Sequence, residues 1–462
     1  MRYISKYSWV RYRYSFAERK RSLLSEPWAG GVVLILCVVV AILLANWTAT
    51  QELYHSILGA HMTFNLSSSS GGVNISYPEN LTVEKFINDG LMVIFFFGVG
   101  LEIKREVISG QLSSVKKAIL PVIAAFGGMI VPALLYSMFN NGTMAAGGWG
   151  IPMATDIAFA IGIMSIMGDK VPVSLKIFLT ALAIADDLGA IIVIALFYGG
   201  TINWLLLGIA AVIMMFIYML NRLGERRLLY YLIPGIVVWS LFYYSGIHAT
   251  LAGVLMAMLV PTTPRYSKQY LLRQADNIEH EIVESASEVG EEAEEKYHDK
   301  LRELGHLSYG SIGMSNMLET ILSPQVTFII LPIFALANAG VVINPEALNI
   351  FATAPDGGSI GMGIFFGLLL GKPIGIFLAS FLAIKCKIAD MPSDASWKMM
   401  IAVACLGGIG FTMSIFVDTL AFGGVSQQFV DEGKIAILFG SVASALLGVI
   451  LINLFAKKSK NA

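Results

Sequence analysis

The chain has 462 residues, 56% of them apolar and only 14% charged, against about 25% charged in an ordinary soluble domain, which argues against a soluble enzyme from the outset. A formal net charge of -1 provides no basic field to neutralise nucleic-acid phosphates, so no nucleic-acid partner is expected. Cys37, Cys386 and Cys405 stand in or beside apolar runs with no CxxC or CxxH spacing; they form neither a disulfide framework nor a zinc site and read as small core residues.

The mean hydropathy of +0.72 comes from many apolar runs near the roughly 20 residues that cross a bilayer as helix. The expected fold class is an all-α polytopic membrane protein. In chain order the predicted spans are 30–47, 86–103, 118–139, 149–167, 173–198, 202–220, 230–244, 247–260, 317–342, 361–384, 397–422 and 435–455. The first follows a basic amino terminus but lacks a small-x-small cleavage site, so it reads as an anchor, not a signal peptide. Twelve spans put both termini on one side, and Lys/Arg bias puts that side in the cytoplasm. Every Lys and Arg then falls inside except Lys85 and Lys434, which are outside, and Lys372, which lies midway along 361–384. The topology thus isolates one buried cation.

The resulting organisation is a basic cytoplasmic terminus (1–29), spans over 30–264 with an external loop at 48–85, a cytoplasmic insert at 265–316, spans over 317–456, and a cytoplasmic tail (457–462). Within the external loop, residues 62–66 and 73–77 alternate apolar and polar about a Ser/Gly-rich turn, which predicts a small β-hairpin. Its edges could pair with a second copy in a homodimer, or it is a simple surface flap. The insert carries eleven acidic and six basic residues over 265–313. Leu271, Ala275, Ile278, Ile282, Ala286, Val289, Ala293, Tyr297, Leu301 and Leu304 recur at steps of three or four, which predicts one long amphipathic helix. Its stripe must be covered by the membrane domain or by a second chain.

Charge at membrane depth carries the chemistry. Asp156, Asp186, Asp187 and Lys372 each lie near the middle of an apolar run, at roughly 2.5–3.5 kcal/mol apiece on insertion scales. Structural ion pairs are one reading, but three acids at one depth fit a cation site better. Asp186 and Asp187 point about 100° apart on a helix, so one can face a cavity and the other a neighbouring helix while both titrate as a coupled pair. Oxygen-only ligands suit hard ions such as Na+ or Li+. Two runs are also interrupted: Pro152 and two polar residues in the fourth, and Gly407, Gly408 and Gly410 in the eleventh. Either could be an ordinary kink, yet paired breaks level with the acids point to a transporter site. There Asp156 could balance positive helix ends and Lys372 negative ones.

Ala154-Thr-Asp-Ile-Ala-Phe-Ala160, Leu182-Ala-Ile-Ala-Asp-Asp-Leu-Gly-Ala190, Gly371-Lys-Pro373 and Gly408-Ile-Gly-Phe-Thr-Met-Ser-Ile-Phe416 resemble the signatures of NhaA-type bacterial Na+/H+ antiporters. Leu101-Glu-Ile-Lys-Arg-Glu106, Gly246-Ile-His-Ala-Thr-Leu-Ala-Gly253 and Leu331-Pro-Ile-Phe-Ala-Leu-Ala-Asn-Ala-Gly340 extend the resemblance over most of the chain. It implies a pH-regulated, electrogenic antiporter of the bacterial inner membrane that needs no cofactor. It also implies an inverted repeat in which spans three to five match ten to twelve and the broken helices cross. By the same resemblance Asp187 is the main Na+ ligand and proton carrier, Asp186 its partner facing Lys372, and Thr155 an oxygen donor to the ion, with Asp156 balancing helix ends. A cytoplasmic pH-response cluster would fall on Glu102, Arg105, Glu106, His248 and Glu319. Thr320 and Ser323 stand where better-studied members carry histidines, so the pH profile is expected to differ. A sodium-coupled organic-solute symporter is the alternative, although the midplane offers few polar side chains for a solute. An intramembrane aspartyl protease would need a GxGD motif, which is absent, and a passive channel is disfavoured by the buried Lys372.

Overall fold

The computed structural model describes residues 27–62, 64–67, 74–77, 81–287, 290–343, 350, 351, 353 and 358–456; the basic terminus to residue 26 and the tail 457–462 lie outside them. Among the described residues, nine helices are long and apolar enough to cross a membrane. The pair Trp397–Gly407 and Phe411–Phe422, bent by 46° at a short break, can supply a tenth span. Leu229–Ser245 and Thr250–Leu259 are shorter apolar helices. The protein is therefore a polytopic, largely helical membrane protein. Strands Phe64–Ser67 and Asn74–Tyr77 pair antiparallel, with Phe64 opposite Tyr77 and Leu66 opposite Ile75.

Such uniformly apolar helices need local start and stop signals, which polar caps and glycine provide. Asn203 accepts from the Leu205 amide at 3.2 Å, Ser396 from that of Met399 at 3.2 Å and Ser359 from that of Met362 at 3.3 Å. Gly246 ends Leu229–Ser245 in the left-handed region at φ 83°. Of the three cysteines only Cys405 is buried; Cys386 is exposed and Cys37 half-buried. Cys386 follows the end of the Lys372–Lys385 helix, where the chain leaves the packed interior.

The described chain divides into two compact units. The first, residues 1–95, 106–200 and 325–462, holds every residue of the predicted ion site. Its most enclosed span is Val173–Phe197, which carries the two adjacent aspartates. Within this unit Val115–Asn140 and Lys372–Lys385 touch backbone to backbone: a Cβ on Gly375 would lie 2.1 Å from the Gly127 carbonyl oxygen, and one on Gly127 2.3 Å from that of Gly375. Small residues permit this approach, and it presses the lysine-bearing helix against its neighbour. Gly375→Ala should therefore destabilise the protein by about 1–3 kcal/mol or more, read as a lower melting temperature in detergent. Gly208→Ala, where nothing stands within 4 Å, should be neutral; equal melting of the two variants would contradict this packing.

The second unit, residues 96–105 and 201–324, has its own core of Leu101, Ile217, Val238, Phe242, Met256 and Leu318. Lys104 Nζ donates to the carbonyls of Met258 at 2.7 Å and of Ala257 and Val260. It thereby caps the carboxyl end of Thr250–Leu259, whose last carbonyls have no partner inside their own helix.

The insert differs from the single helix expected. It forms two helices, Lys268–Ser287 and Glu291–Gly310, which run antiparallel: the Arg265 amide bonds to the Gly310 carbonyl, and Lys300 pairs with Glu281 at 2.6 Å. Gly290 adopts φ 151°, a backbone geometry that glycine reaches without steric cost. The apolar period runs on through this point, so spacing alone does not mark the reversal. The two halves pack on each other and cover part of the stripe, with Ile278 and Leu307 buried while Leu301 stays exposed.

Candidate functional site

Pro152 lies near the end of a tight helix, Ala146–Met153, and residues 154–156 are non-helical before Ile157–Ile166 begins. Trp397–Gly407 likewise ends at a glycine, and Phe411–Phe422 restarts after Gly410. The two interruptions lie against each other. The Asp156 amide donates to the Ile409 carbonyl at 2.6 Å, and Ser414 Oγ donates to the Ile151 carbonyl at 2.8 Å. A Cβ on Gly410 would sit 3.1 Å from the Ala154 carbonyl, and one on Gly408 only 2.4 Å from that of Leu368. The missing side chains let three backbones meet here.

Asp156 is almost fully buried and joins the amino ends of two helices. Its Oδ1 accepts from the Phe159 amide at 3.1 Å, capping Ile157–Ile166. Its Oδ2 accepts from the Thr412 amide at 3.1 Å and from Thr412 Oγ1 at 2.5 Å, at the start of Phe411–Phe422. A carboxylate between two amino ends answers both positive dipoles. Thr412 lies inside a quoted motif but carried no expectation of its own, because a threonine in an apolar run shows no partner in sequence. Thr412→Val should lower stability by about 1.5–3 kcal/mol, the worth of a hydrogen bond to a charged group. Thr412→Ser should recover most of it, and thermal unfolding in detergent that fails to separate the two variants would count against this role.

Lys372 follows a wide helical turn, Gly367–Gly371, and precedes Pro373, which has no N–H to offer that turn. Its ammonium is fully buried; it donates to Asp186 Oδ2 at 2.7 Å and to the Met153 carbonyl, the carboxyl end of Ala146–Met153. Thr155 Oγ1 lies 2.7 Å from the same Asp186 oxygen and 3.0 Å from the Gly407 carbonyl, and donates to one or the other. Asp187, 1% exposed, is within electrostatic reach of Lys372. Lys372, Asp186, Thr155 and Asp187 thus converge where the two breaks meet. Oxygen atoms of Thr155, Asp186 and Asp187 are the kind of donor that could hold a hard monovalent cation.

Three of the five pH-response candidates, Glu102, Arg105 and Glu319, are neighbours. Within the second unit Arg105 pairs with Glu319 and stands 4.0 Å from Glu102. Glu106, next to Arg105 on the helix Met92–Ile108, accepts from the Gln111 amide at 2.7 Å. His248 precedes the amino end of Thr250–Leu259, whereas Lys104, next to Arg105, binds its carboxyl end. A ten-residue helix separates those ends by roughly 15 Å. Thr320 and Ser323 are exposed.

The sequence reading missed Asp418. It is fully buried in Phe411–Phe422, and neither carboxyl oxygen has a hydrogen-bond partner among the described residues. Near the end of its apolar run, an acid looks like an ordinary boundary residue.

Known proteins are similar to this chain over most of its length. The family described as Na+/H+ antiporter 1 matches residues 21–452. The chain is 43% identical to Na(+)/H(+) antiporter NhaA 2 of Flavobacterium johnsoniae over 94% of its own length and 91% of the relative. It is 40% identical to Na(+)/H(+) antiporter NhaA of Christiangramia forsetii, covering 96% of both chains. With Na(+)/H(+) antiporter NhaA 1 of Klebsiella pneumoniae it shares 41% identity over 93% of this chain and 94% of the other.

Proposed function

The chain belongs to the Na+/H+ antiporter 1 family, and from that premise we propose that it exports Na+ or Li+ in exchange for H+ by alternating access at the crossed breaks. As a member of that family it is a transporter and not an enzyme. The observation that carries the proposal is the buried convergence of Asp186, Asp187, Thr155 and Lys372 where two interrupted helices meet.

Facing the cytoplasm, Na+ displaces protons from the Asp186/Asp187 pair. Asp187 is the principal ligand and proton carrier, Thr155 lends an oxygen, Lys372 engages Asp186, and Asp156 holds the two helix ends. A rocking motion exposes the site outside, where protons displace Na+ and reset it. Competition for one pair of carboxylates couples the two fluxes without ATP. With two protons per Na+, each cycle moves net charge, and the membrane potential contributes about 2.3 kcal/mol per charge per 100 mV. The two short helices and the bent pair support a twelve-span arrangement with both termini in the cytoplasm of a bacterial inner membrane. The paired interruptions support an inverted repeat of spans three to five with ten to twelve. The Arg105 contacts to Glu102 and Glu319 support regulation by cytoplasmic pH through Glu102, Arg105, Glu106, His248 and Glu319. The two-stranded hairpin supports dimer formation through its free edges.

Proteoliposomes given only a Na+ gradient and a pH indicator test the proposal. Na+-driven proton movement without any organic solute is expected, whereas dependence on a solute would establish symport instead.

A further inference from the structure

The proposed cycle does not use Asp418, yet this carboxyl occupies an unusual place. Burying a polar group without a hydrogen bond is costly, and doing so with a charge is far more so. Asp418 is 0% exposed, and both its oxygens lack a hydrogen-bond partner among the described residues. It stands four residues beyond Ser414 on the same helix face, about 6 Å along the axis, and Ser414 is bonded to the Ile151 carbonyl beside Pro152. The carboxyl is therefore one turn removed from the crossing, toward the end of the helix at Phe422.

The groups around it are sparse and specific. From Gln427–Phe455, Gly433 packs so closely that a Cβ there would fall 1.9 Å from Asp418 Oδ1. The buried Lys434, also on that helix, and the partly buried Asp431 are the charges that act on Asp418. The Tyr136 and Tyr198 hydroxyls lie within electrostatic reach of it. Both are already committed, donating to the Ala145 carbonyl at 2.8 Å and the Gly147 carbonyl at 2.9 Å. Ala146–Met153 and Leu331–Asn338, which also pack on Phe411–Phe422, carry no titratable side chain. A metal ion here would lack a shell of oxygens and would meet the Lys434 ammonium, with Gly433 closing one side. A proton needs only one lone pair.

We propose that Asp418 is a proton-loading site on the external side of the crossing, receiving the proton that later displaces Na+ from the aspartate pair. The inference rests on the antiport reading and its topology, in which Phe422 and Lys434 face outward. In the step, a hydronium ion outside gives up its proton and an O–H bond forms on the Asp418 carboxylate. That bond breaks as the proton passes inward to the Asp186/Asp187 pair, and Asp418 returns to carboxylate.

Charge movement on solid-supported membranes tests this, using full-length protein reconstituted in one orientation. An external pH jump reads proton loading, and a cytoplasmic Na+ jump reads Na+ binding. Asp418→Asn should slow proton loading on the order of 10²-fold, as loss of a positioned proton carrier does, while the Na+ response stays unchanged. Proton loading at the unaltered rate, or equal slowing of both responses, overturns the proposal. Should Asp418→Asn fail to insert, Lys434→Gln replaces it: removing the positive neighbour eases protonation, so the external-pH midpoint should move to higher pH, and an unmoved midpoint overturns the proposal. If the unaltered chain gives neither response, the antiport reading itself falls, and this inference with it.

Discussion

Asp187→Asn will abolish Na+-driven proton movement in vesicles while the protein still folds. Asparagine matches the shape of aspartate but neither binds a titrating proton nor offers Na+ a negative charge. A unit charge about 4 Å away contributes on the order of 4 kcal/mol at the effective dielectric of a protein, so Na+ affinity should fall by about three orders of magnitude. Folding should survive because asparagine keeps the size and hydrogen-bonding shape of the side chain it replaces, whereas at the neighbouring positions the charge itself is engaged: Asp156 caps Ile157–Ile166 and Asp186 holds the lysine. Normal yield and melting with no exchange is the expected pair of results. Exchange at even a tenth of the ordinary rate would remove Asp187 from the site.

The second large effect concerns the buried pair itself. Lys372 and Asp186 are both 0% exposed and 2.7 Å apart, and removing one partner of such a pair leaves an uncompensated charge at a cost of about 3–5 kcal/mol. Lys372→Ala and Asp186→Asn should each lower the melting temperature markedly. The double variant should melt closer to the original protein than the two losses summed, because neither charge then remains alone. Strict additivity would mean that the two groups do not depend on each other. In transport, Lys372→Ala should move the pH range of exchange upward if the ammonium favours the ionised form of its partner; an unmoved range would count against that pairing.

Much of this was legible in the sequence because two physical costs are severe. Runs of about 20 apolar residues have few soluble uses, and Asp156, Asp186, Asp187 and Lys372 inside such runs stand out individually. Pro152 and Gly407 to Gly410 were visible for the same reason, as breakers where an uninterrupted helix would be cheaper. Other features left no such trace. Which of two adjacent aspartates faces Lys372 depends on helix rotation, and periodicity leaves both positions open. Thr412 gains its meaning only when the fourth and eleventh segments meet and its hydroxyl reaches Asp156. Asp418 sits too near a span end to look buried. The insert reads as one helix because its apolar stripe keeps phase across Gly290, although that glycine is where the chain turns back and the two halves pair. His248 precedes the amino end of Thr250–Leu259 and Lys104 binds its carboxyl end, a placement that motif spacing does not show.

The central claim is that Na+ and H+ exclude each other at the aspartate pair. The most direct measurement is proton release on adding Na+ to purified protein in weakly buffered detergent, followed with a pH-sensitive dye across a range of starting pH. Release that saturates with Na+, weakens in apparent affinity as the pH falls, and vanishes when Asp186 and Asp187 are both changed to asparagine is the predicted result. Sodium binding with no proton released, or with an affinity indifferent to pH, would contradict it.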